Sequence, residues 1–165
     1  MMKAEYKEIW FLDGKEIKGD QKTIQLPFGR ASARALIVRR GDGAILGTLH
    51  HKGGQLAPPG GAIDDGESSA EAVARELQEE NIQLVGESGD WESRIAVSYY
   101  GGYKELSIWY IFDVEDAVIG ECDENILSRW VGQDEDVWYP SMREWIILTL
   151  GQHLPELVQK TVVVH

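Results

Sequence analysis

Three glutamates, Glu76, Glu79 and Glu80, stand at i, i+3 and i+4 near the end of a segment with helical apolar spacing. On a helix they share one face and repel one another. They also crowd the C-terminal half, where the helix dipole disfavours negative charge. Each effect costs a few tenths of a kcal/mol, up to about 1 kcal/mol. A hard divalent cation such as Mg²⁺ removes the conflict, because it takes carboxylate oxygens as ligands. A bare glutamate-rich face is more often only solvated, but several local rules broken together mark a functional site. The chemistry on offer is that of carboxylates around a hard divalent cation.

These side chains need a helix to carry them, and the sequence predicts one over 69–80. Ser68 is a good N-cap, and Glu71, three positions on, completes the capping-box pattern. Ala70, Val73, Ala74 and Leu77 follow i, i+3, i+4, i+7 spacing and predict the buried stripe. At about 100° per residue the glutamates fall beside that stripe, with Ala72 nearly in line with them and leaving room above. A glycine- and proline-rich loop, from Gly53-Gly54 through Pro58-Pro59-Gly60-Gly61, precedes the helix.

Strands are predicted at 35–38 and 44–49, linked by the Gly41-Asp42-Gly43 turn. Others are predicted at 94–100 and 106–114, joined through Gly101-Gly102, and at 126–131. Asp13-Gly14 centres a hairpin over 7–18, and 23–26 is extended up to Pro27. Pro140-Ser141 opens a last helix with Met142, Trp145, Ile146 and Leu150 on its buried side. This order predicts an α/β (α+β) fold, a mixed central sheet covered by helices on both faces. Residues 1–33 are read as an N-terminal hairpin or arm, either separate or forming an extra small sheet, and residues 34–165 as the main domain.

Gly61 is followed by five residues and Glu67, then by seven residues and Arg75-Glu76-Leu77, then by Gln78 and Glu79-Glu80. This spacing resembles the signature of the Nudix hydrolases, G-x5-E-x7-R-E-U-x-E-E-x-G-U, where U is a bulky aliphatic. The chain departs at the end, with Ile82 and Gln83 where glycine and an aliphatic are called for. A one-residue deletion would put Asn81 and Ile82 in those places, and asparagine tolerates the left-handed backbone that ends a helix.

The resemblance implies an α/β/α sandwich over 34–160 and a pyrophosphohydrolase using Mg²⁺, with Mn²⁺ as a substitute. It implies Glu79 and Glu80 as metal ligands, and Glu76 as a ligand or the general base. Arg75 would orient a glutamate, with Glu67 in the same network and the Gly60 carbonyl joining the metal. A further ligand or base would come from a later loop, among Asp123, Glu124, Asp134, Glu135 and Asp136, with Glu124 the first choice.

The substrate is less defined. His50, His51 and Lys52 end a strand before the glycine loop and could meet phosphates, as could Arg39, Arg94 and Lys104; exposed polar positions are the plainer reading. Tyr99 and Tyr100 resemble the tyrosine of dinucleoside polyphosphate hydrolases. The Asp13-Gly14 hairpin leading through Pro27 resembles the ADP-ribose pyrophosphatase branch instead. That branch has a proline near the tyrosine position, and this chain has none from Gly60 to Tyr139. ADP-ribose, nucleoside triphosphates and dinucleoside polyphosphates all stay open. The six tryptophans are core residues by default.

The net charge of −12 and the lack of a basic cluster argue against nucleic acid as a partner. An acidic cleft would fill with cations before it met a nucleotide. The chain shows no apolar run long enough to span a membrane, no apolar stretch of signal-peptide type at Met1-Met2-Lys3-Ala4-Glu5, and a single cysteine, Cys122. A cytoplasmic enzyme acting on a small nucleotide is expected, and the N-terminal arm would suit a homodimer. The competing reading is a non-catalytic nucleotide- or metal-binding sensor on the same fold.

Overall fold

The computed structural model describes the backbone of residues 2–5, 11–12, 15–16, 23–26, 30–49, 54–89, 95–100, 105–122, 127–132, 135–139, 142–143, 146 and 163–164. In chain order the elements are β1 (Met2–Glu5), β2 (Phe11–Leu12), β3 (Lys15–Glu16), β4 (Thr23–Leu26), β5 (Arg30–Arg39), β6 (Ile45–Leu49), β7 (Leu56–Ala57) and β8 (Gly60–Ala62). The helix α1 (Ser69–Glu79) follows. After it come β9 (Ile82–Val85), β10 (Ile95–Tyr100), β11 (Glu105–Val114), β12 (Asp116–Ile119), β13 (Leu127–Val131) and β14 (Val163–Val164).

The main sheet is mixed, in the order β13-β6-β5-β11-β10-β2-β3. Its centre is the parallel pair β5 and β11, in register from Arg30 opposite Glu105 to Arg39 opposite Val114. Side chains alternate across such strands, so each contributes to two cores. Ala31, Ala33, Ala35 and Ile37 face one way with Ile108, Tyr110, Phe112 and Val114, and meet Val73 and Leu77 of α1. Leu36, Trp109 and Ile111 face the other way with Ile45, Trp138 and Ile146. The three alanines give α1 a shallow floor. Burying a side chain such as Val73 or Leu77 against it contributes about 1.5–3 kcal/mol.

Met142, Arg143 and Ile146 have helical backbone, and Met142 packs against the second core that buries Ile146. The fold is thus the expected mixed α+β arrangement, with α1 packed on one face of the sheet and Met142 and Ile146 against the core on the other. Pro140, Ser141, Trp145 and Leu150 lie outside the described residues. The N-terminal hairpin is present as antiparallel β2 and β3, with Asp13-Gly14 itself outside the described residues. β10 and β11 pair antiparallel as expected, and β13 pairs antiparallel with β6.

β1 pairs with β4 and β14 in a separate small sheet, one of the two readings given to residues 1–33. Three features were not expected from sequence. β5 begins at Arg30, ahead of the strand expected at 35–38. β9 and β12 form an antiparallel ribbon. The third feature positions the site. β5 pairs with β6 at Val38 and Ile45; farther along, Ser32, Ala33 and Arg34 pair with Ala62, Gly61 and Gly60 of β8. β7 meanwhile pairs with β6 at Thr48 and Leu49. The glycine- and proline-rich stretch is therefore wedged into the sheet between diverging strands. No helix among the described residues is long and apolar enough to cross a membrane.

Candidate active site

The sequence fixes both ends of α1. Ser68 Oγ accepts the Glu71 N–H at 3.1 Å and donates to Glu71 Oε1 at 3.1 Å, so the cap forms as expected. The buried Ser69 hydroxyl lies 2.7 Å from the Tyr110 hydroxyl, tying the first turn to β11. At the other end Asn81 has φ +56°, the left-handed value, alone among the described non-glycine residues. Its N–H donates to the Gln78 carbonyl at 3.1 Å, and Ile82 is buried in the helix-side core. The helix exits one residue early, and Asn81 and Ile82 take the places that the signature gives to glycine and an aliphatic.

The face that α1 buries differs from the expected stripe. The helix buries Ser69, Ala72, Val73 and Leu77, while Ala74 is exposed. The cause is β8, which the helix packs against as well as β5. Covering both turns the row Ala72, Glu76, Glu80 inward. Ala72 is fully packed and leaves no room above itself. Glu80 is only 4% exposed, whereas the Glu79 side chain, at 57%, reaches solvent.

Arg75 organises the carboxylates. Its Nε donates to Glu67 Oε2 at 2.9 Å and its Nη2 to Glu67 Oε1 at 3.0 Å, a bidentate fork. Nη1 donates to Glu76 Oε1 at 3.0 Å and, at a longer 3.3 Å, to Glu79. Nη2 also donates to the Ala62 carbonyl at 2.9 Å, and Asp64 lies 3.7 Å away as an ion pair. The guanidinium's five donors thus link the helix, β8 and the loop between them. The hydrogen bonds from Arg75 hold the Glu67 carboxyl below the usual carboxylate range, against the opposing effect of burial. Reciprocally, the hydrogen bond to Glu67 raises Arg75 above its ordinary value.

β8 completes the arrangement. Ala35 N–H donates to Pro59 O at 2.8 Å and Ile63 N–H to Ala31 O at 3.0 Å. Antiparallel ladders alternate, so the carbonyls of Gly60 and Ala62 turn away from β5, toward the edge where Arg75 holds the Ala62 oxygen. Both preceding positions leave little space for a side chain, and Gly60 requires glycine. A Cβ on Gly61 would lie 2.6 Å from the carboxyl carbon of Glu76. Gly60 has φ +153°, and its Cβ would lie 2.8 Å from Arg34 Cα.

The available donors are carboxylate and carbonyl oxygens, the hard set that suits Mg²⁺ or Mn²⁺. By chemistry, Glu76, Glu79, Glu80 and the Gly60 carbonyl fit such an ion. Among the described residues no three His, Cys, Asp or Glu side chains already stand grouped around one point. Of the other candidates, Glu135 and Asp136 pair with Arg129 at 3.5 Å and Arg143 at 3.4 Å. Arg39 stacks 4.5 Å over Trp130 and pairs with Asp42, whose carboxyl that hydrogen bond holds at about 2. Trp109 and Trp138 are buried in the core, as expected. Tyr99 and Tyr100 lie on β10, described only in backbone. His50, His51, Lys52, Arg94, Lys104, Asp123, Glu124, Asp134, Trp10 and Trp91 lie outside the described residues. Sequence reasoning missed the Ala62 carbonyl, the buried Arg34 behind Gly60, and the Ser69–Tyr110 bond. None of the three left a signal in the apolar spacing, which put the buried stripe at Ala70, Val73, Ala74 and Leu77.

The site is a glycine-rich edge beside a glutamate-bearing helix, ordered by one arginine. The NUDIX domain family model matches residues 29–146. The chain belongs to the NUDIX family. No curated protein matches the chain. Among solved structures, a bifunctional NMN adenylyltransferase/ADP ribose pyrophosphatase from Francisella tularensis is 22% identical with TM-score 0.61, over 76% of this chain and 42% of that one. This chain thus spans less than half of that protein. The same Francisella enzyme complexed with AMP and a Mn ion is 20% identical with TM-score 0.56, over 77% of this chain and 42% of that one. A C. elegans Ap4A hydrolase is 20% identical with TM-score 0.55, over 73% of this chain and 96% of that one. At these identities the likeness is one of fold.

Proposed function

We propose that the protein is a divalent-cation-dependent pyrophosphohydrolase of a small nucleoside-diphosphate-linked molecule, of ADP-ribose, nucleoside triphosphate or dinucleoside polyphosphate type. The observation that carries this reading is the Arg75 hub, which links Glu67, Glu76, Glu79 and the outer edge of β8 within one set of hydrogen bonds. Glu76, Glu79, Glu80 and the Gly60 carbonyl would hold Mg²⁺ or Mn²⁺, with Glu124 as a further ligand. Bound there, the cation supplies positive charge at the diphosphate oxygens and makes a nearby water more acidic.

The chain's own residues do the rest. Glu76, whose carboxylate Arg75 holds at 3.0 Å, would serve as a ligand or accept a proton from the attacking water. Glu67 keeps Arg75 in register, so the fork aims Glu76 and Glu79 at the same side of β8. His51, Lys52, Tyr99 and Tyr100 are proposed to hold the substrate's phosphates and base. A cytoplasmic location, a homodimer and the absence of nucleic-acid and membrane partners belong to the same reading; light scattering of the full chain tests the dimer.

The test is phosphate release with and without Mg²⁺ from ADP-ribose, the nucleoside triphosphates and dinucleoside polyphosphates. Glu79→Gln and Glu76→Gln are expected to lose roughly tenfold or more, as changes at a metal site do. Equal turnover by wild type and both variants would sink the assignment. Mg²⁺ binding without turnover of any substrate would favour the sensor.

A further inference from the structure

Resting on that reading of the site, we propose that Arg34 is a positioning residue that anchors residues 58–60 and so fixes the Gly60 carbonyl beside the helix carboxylates. Arg34 is 6% exposed, a cation inside the sheet. A guanidinium is costly to bury unless its donors find acceptors, and apolar residues of similar volume generally serve stability as well or better. The face on which Arg34 lies is otherwise supplied with such residues, Leu36 two positions on and Trp109 opposite. An arginine here calls for a reason beyond packing.

The reason lies in what the wedged segment can offer the sheet. Pro58 and Pro59 have no N–H, so their carbonyls are their only backbone hydrogen-bonding groups. The Pro59 carbonyl accepts from Ala35 N–H at 2.8 Å. The Pro58 carbonyl accepts from Arg34 Nη1 at 3.2 Å. Both carbonyls are thereby tied to adjacent residues of β5. The next residue, Gly60, has the loosest backbone of any type and adopts φ +153°. It lies directly on the Arg34 stem, where a Cβ would come 2.9 Å from Cγ. The stem of Arg34 thus backs Gly60 while its head holds Pro58. Gly60 has no side chain of its own with which to hold the direction of its carbonyl.

Two residues earlier on the same strand face, buried Ser32 makes a 3.2 Å hydroxyl contact with Ser107. That pair ties β5 to β11, and the partner of Ser32 on β8 is Ala62 rather than Gly60, which makes Ser32→Ala a control for ordinary loosening of the sheet. The experiment is a Mn²⁺ titration of the full chain, with free Mn²⁺ followed by electron paramagnetic resonance. Melting temperatures are recorded beside it. Arg34→Met is expected to weaken Mn²⁺ binding by roughly tenfold, the scale of a lost supporting contact at a metal site. Ser32→Ala is expected to lower the melting temperature and leave Mn²⁺ affinity at the wild-type value. Wild-type affinity in a folded Arg34→Met protein overturns the role, and so does an equal weakening in Ser32→Ala. If Arg34→Met does not fold, Arg34→Gln, whose amide ends short of Pro58, is judged by the same two outcomes. Failure of the site reading shows elsewhere. Wild type would then bind no Mn²⁺ that Glu80→Gln abolishes, and the role of Arg34 would fall with it.

Discussion

Two clusters in this protein are built from similar parts and arranged to different ends. Around Arg75 stand Glu67, Glu76, Glu79 and a glycine, Gly61, pressed against the Glu76 carboxyl. Around Arg40, where the ribbon of β9 and β12 leaves the sheet, stand Asp113, Glu115 and a glycine, Gly86, pressed against the Glu115 side chain. Arg40 gives its hydrogen bonds to backbone, to Gly86 O at 2.6 Å and Asp113 O at 3.1 Å, and its carboxylates stay at 3.6 Å. Arg75 spends its donors mainly on carboxylate oxygens at 2.9–3.3 Å. Exposure follows the same division: the Glu115 side chain is 69% exposed, against 14% for Glu67 and Glu76. Ion pairs that exposed contribute little. One arginine staples a ribbon, and the other fixes the directions of acids.

The widest separation between the clusters should come from replacing each arginine with lysine. The substitution keeps the charge and removes the planar fork. Arg75→Lys can no longer grip Glu67 with two parallel bonds while reaching Glu76 and Ala62. Its turnover is expected to fall roughly tenfold or more, as when support at a metal site is lost. Arg40→Lys is expected to hydrolyse at the wild-type rate. Equal rates in the two variants would erase the distinction.

The two glycines give a smaller and cleaner contrast. Gly61→Ala would push the Glu76 carboxylate off its hydrogen bond with Arg75. The displaced atoms are the far end of a flexible side chain, so a several-fold loss of turnover is expected with little change in melting temperature. Gly86 has φ +66°, where a Cβ costs roughly 1–2 kcal/mol. Gly86→Ala is expected to lower the melting temperature by about 2–4 °C for each kcal/mol and to spare activity. Thermal melts beside initial rates decide it, and the comparison fails if Gly86→Ala is the slower enzyme.

The sequence made one part of this picture legible and hid the rest for physical reasons. The acids and Arg75 could be read because their function fixes their spacing. The ends of α1 could be read because caps depend on single residues: Ser68 at one end and Asn81, in its left-handed conformation, at the other. The rotation of the helix could not be read. It is set by β8, three residues of Gly-Gly-Ala with no apolar period, lying within what looks like loop. Arg34 was hidden similarly. A charged residue in a strand reads as facing solvent, and only the wedging of residues 56–62 between β5 and β6 encloses it. β5 itself was read five residues short, because Ala31 and Ala33 mark a face that must admit a helix closely and look weakly apolar in a window.

The smallest expected effect concerns pH. Hydrogen bonds from Arg75 lower the carboxyl of Glu67 in the folded chain relative to its unfolded value of about 4.5. A group lowered in this way binds its proton less readily in the folded state. Its stabilisation is complete above the unfolded value and fades as pH falls through the folded one. Glu67→Gln removes that titration while keeping an oxygen that can accept from Arg75. The variant should be the less stable protein near neutrality, and the gap should narrow as the solution is made acidic. Asp113 provides the matched control from the other cluster, since Arg40 stands 3.6 Å from its carboxylate and hydrogen-bonds its carbonyl instead. Urea midpoints of wild type, Glu67→Gln and Asp113→Asn, taken from neutral pH down into the acid range, check this. A gap for Glu67→Gln that stays constant with pH would show that the Arg75 fork holds a position without favouring a charge.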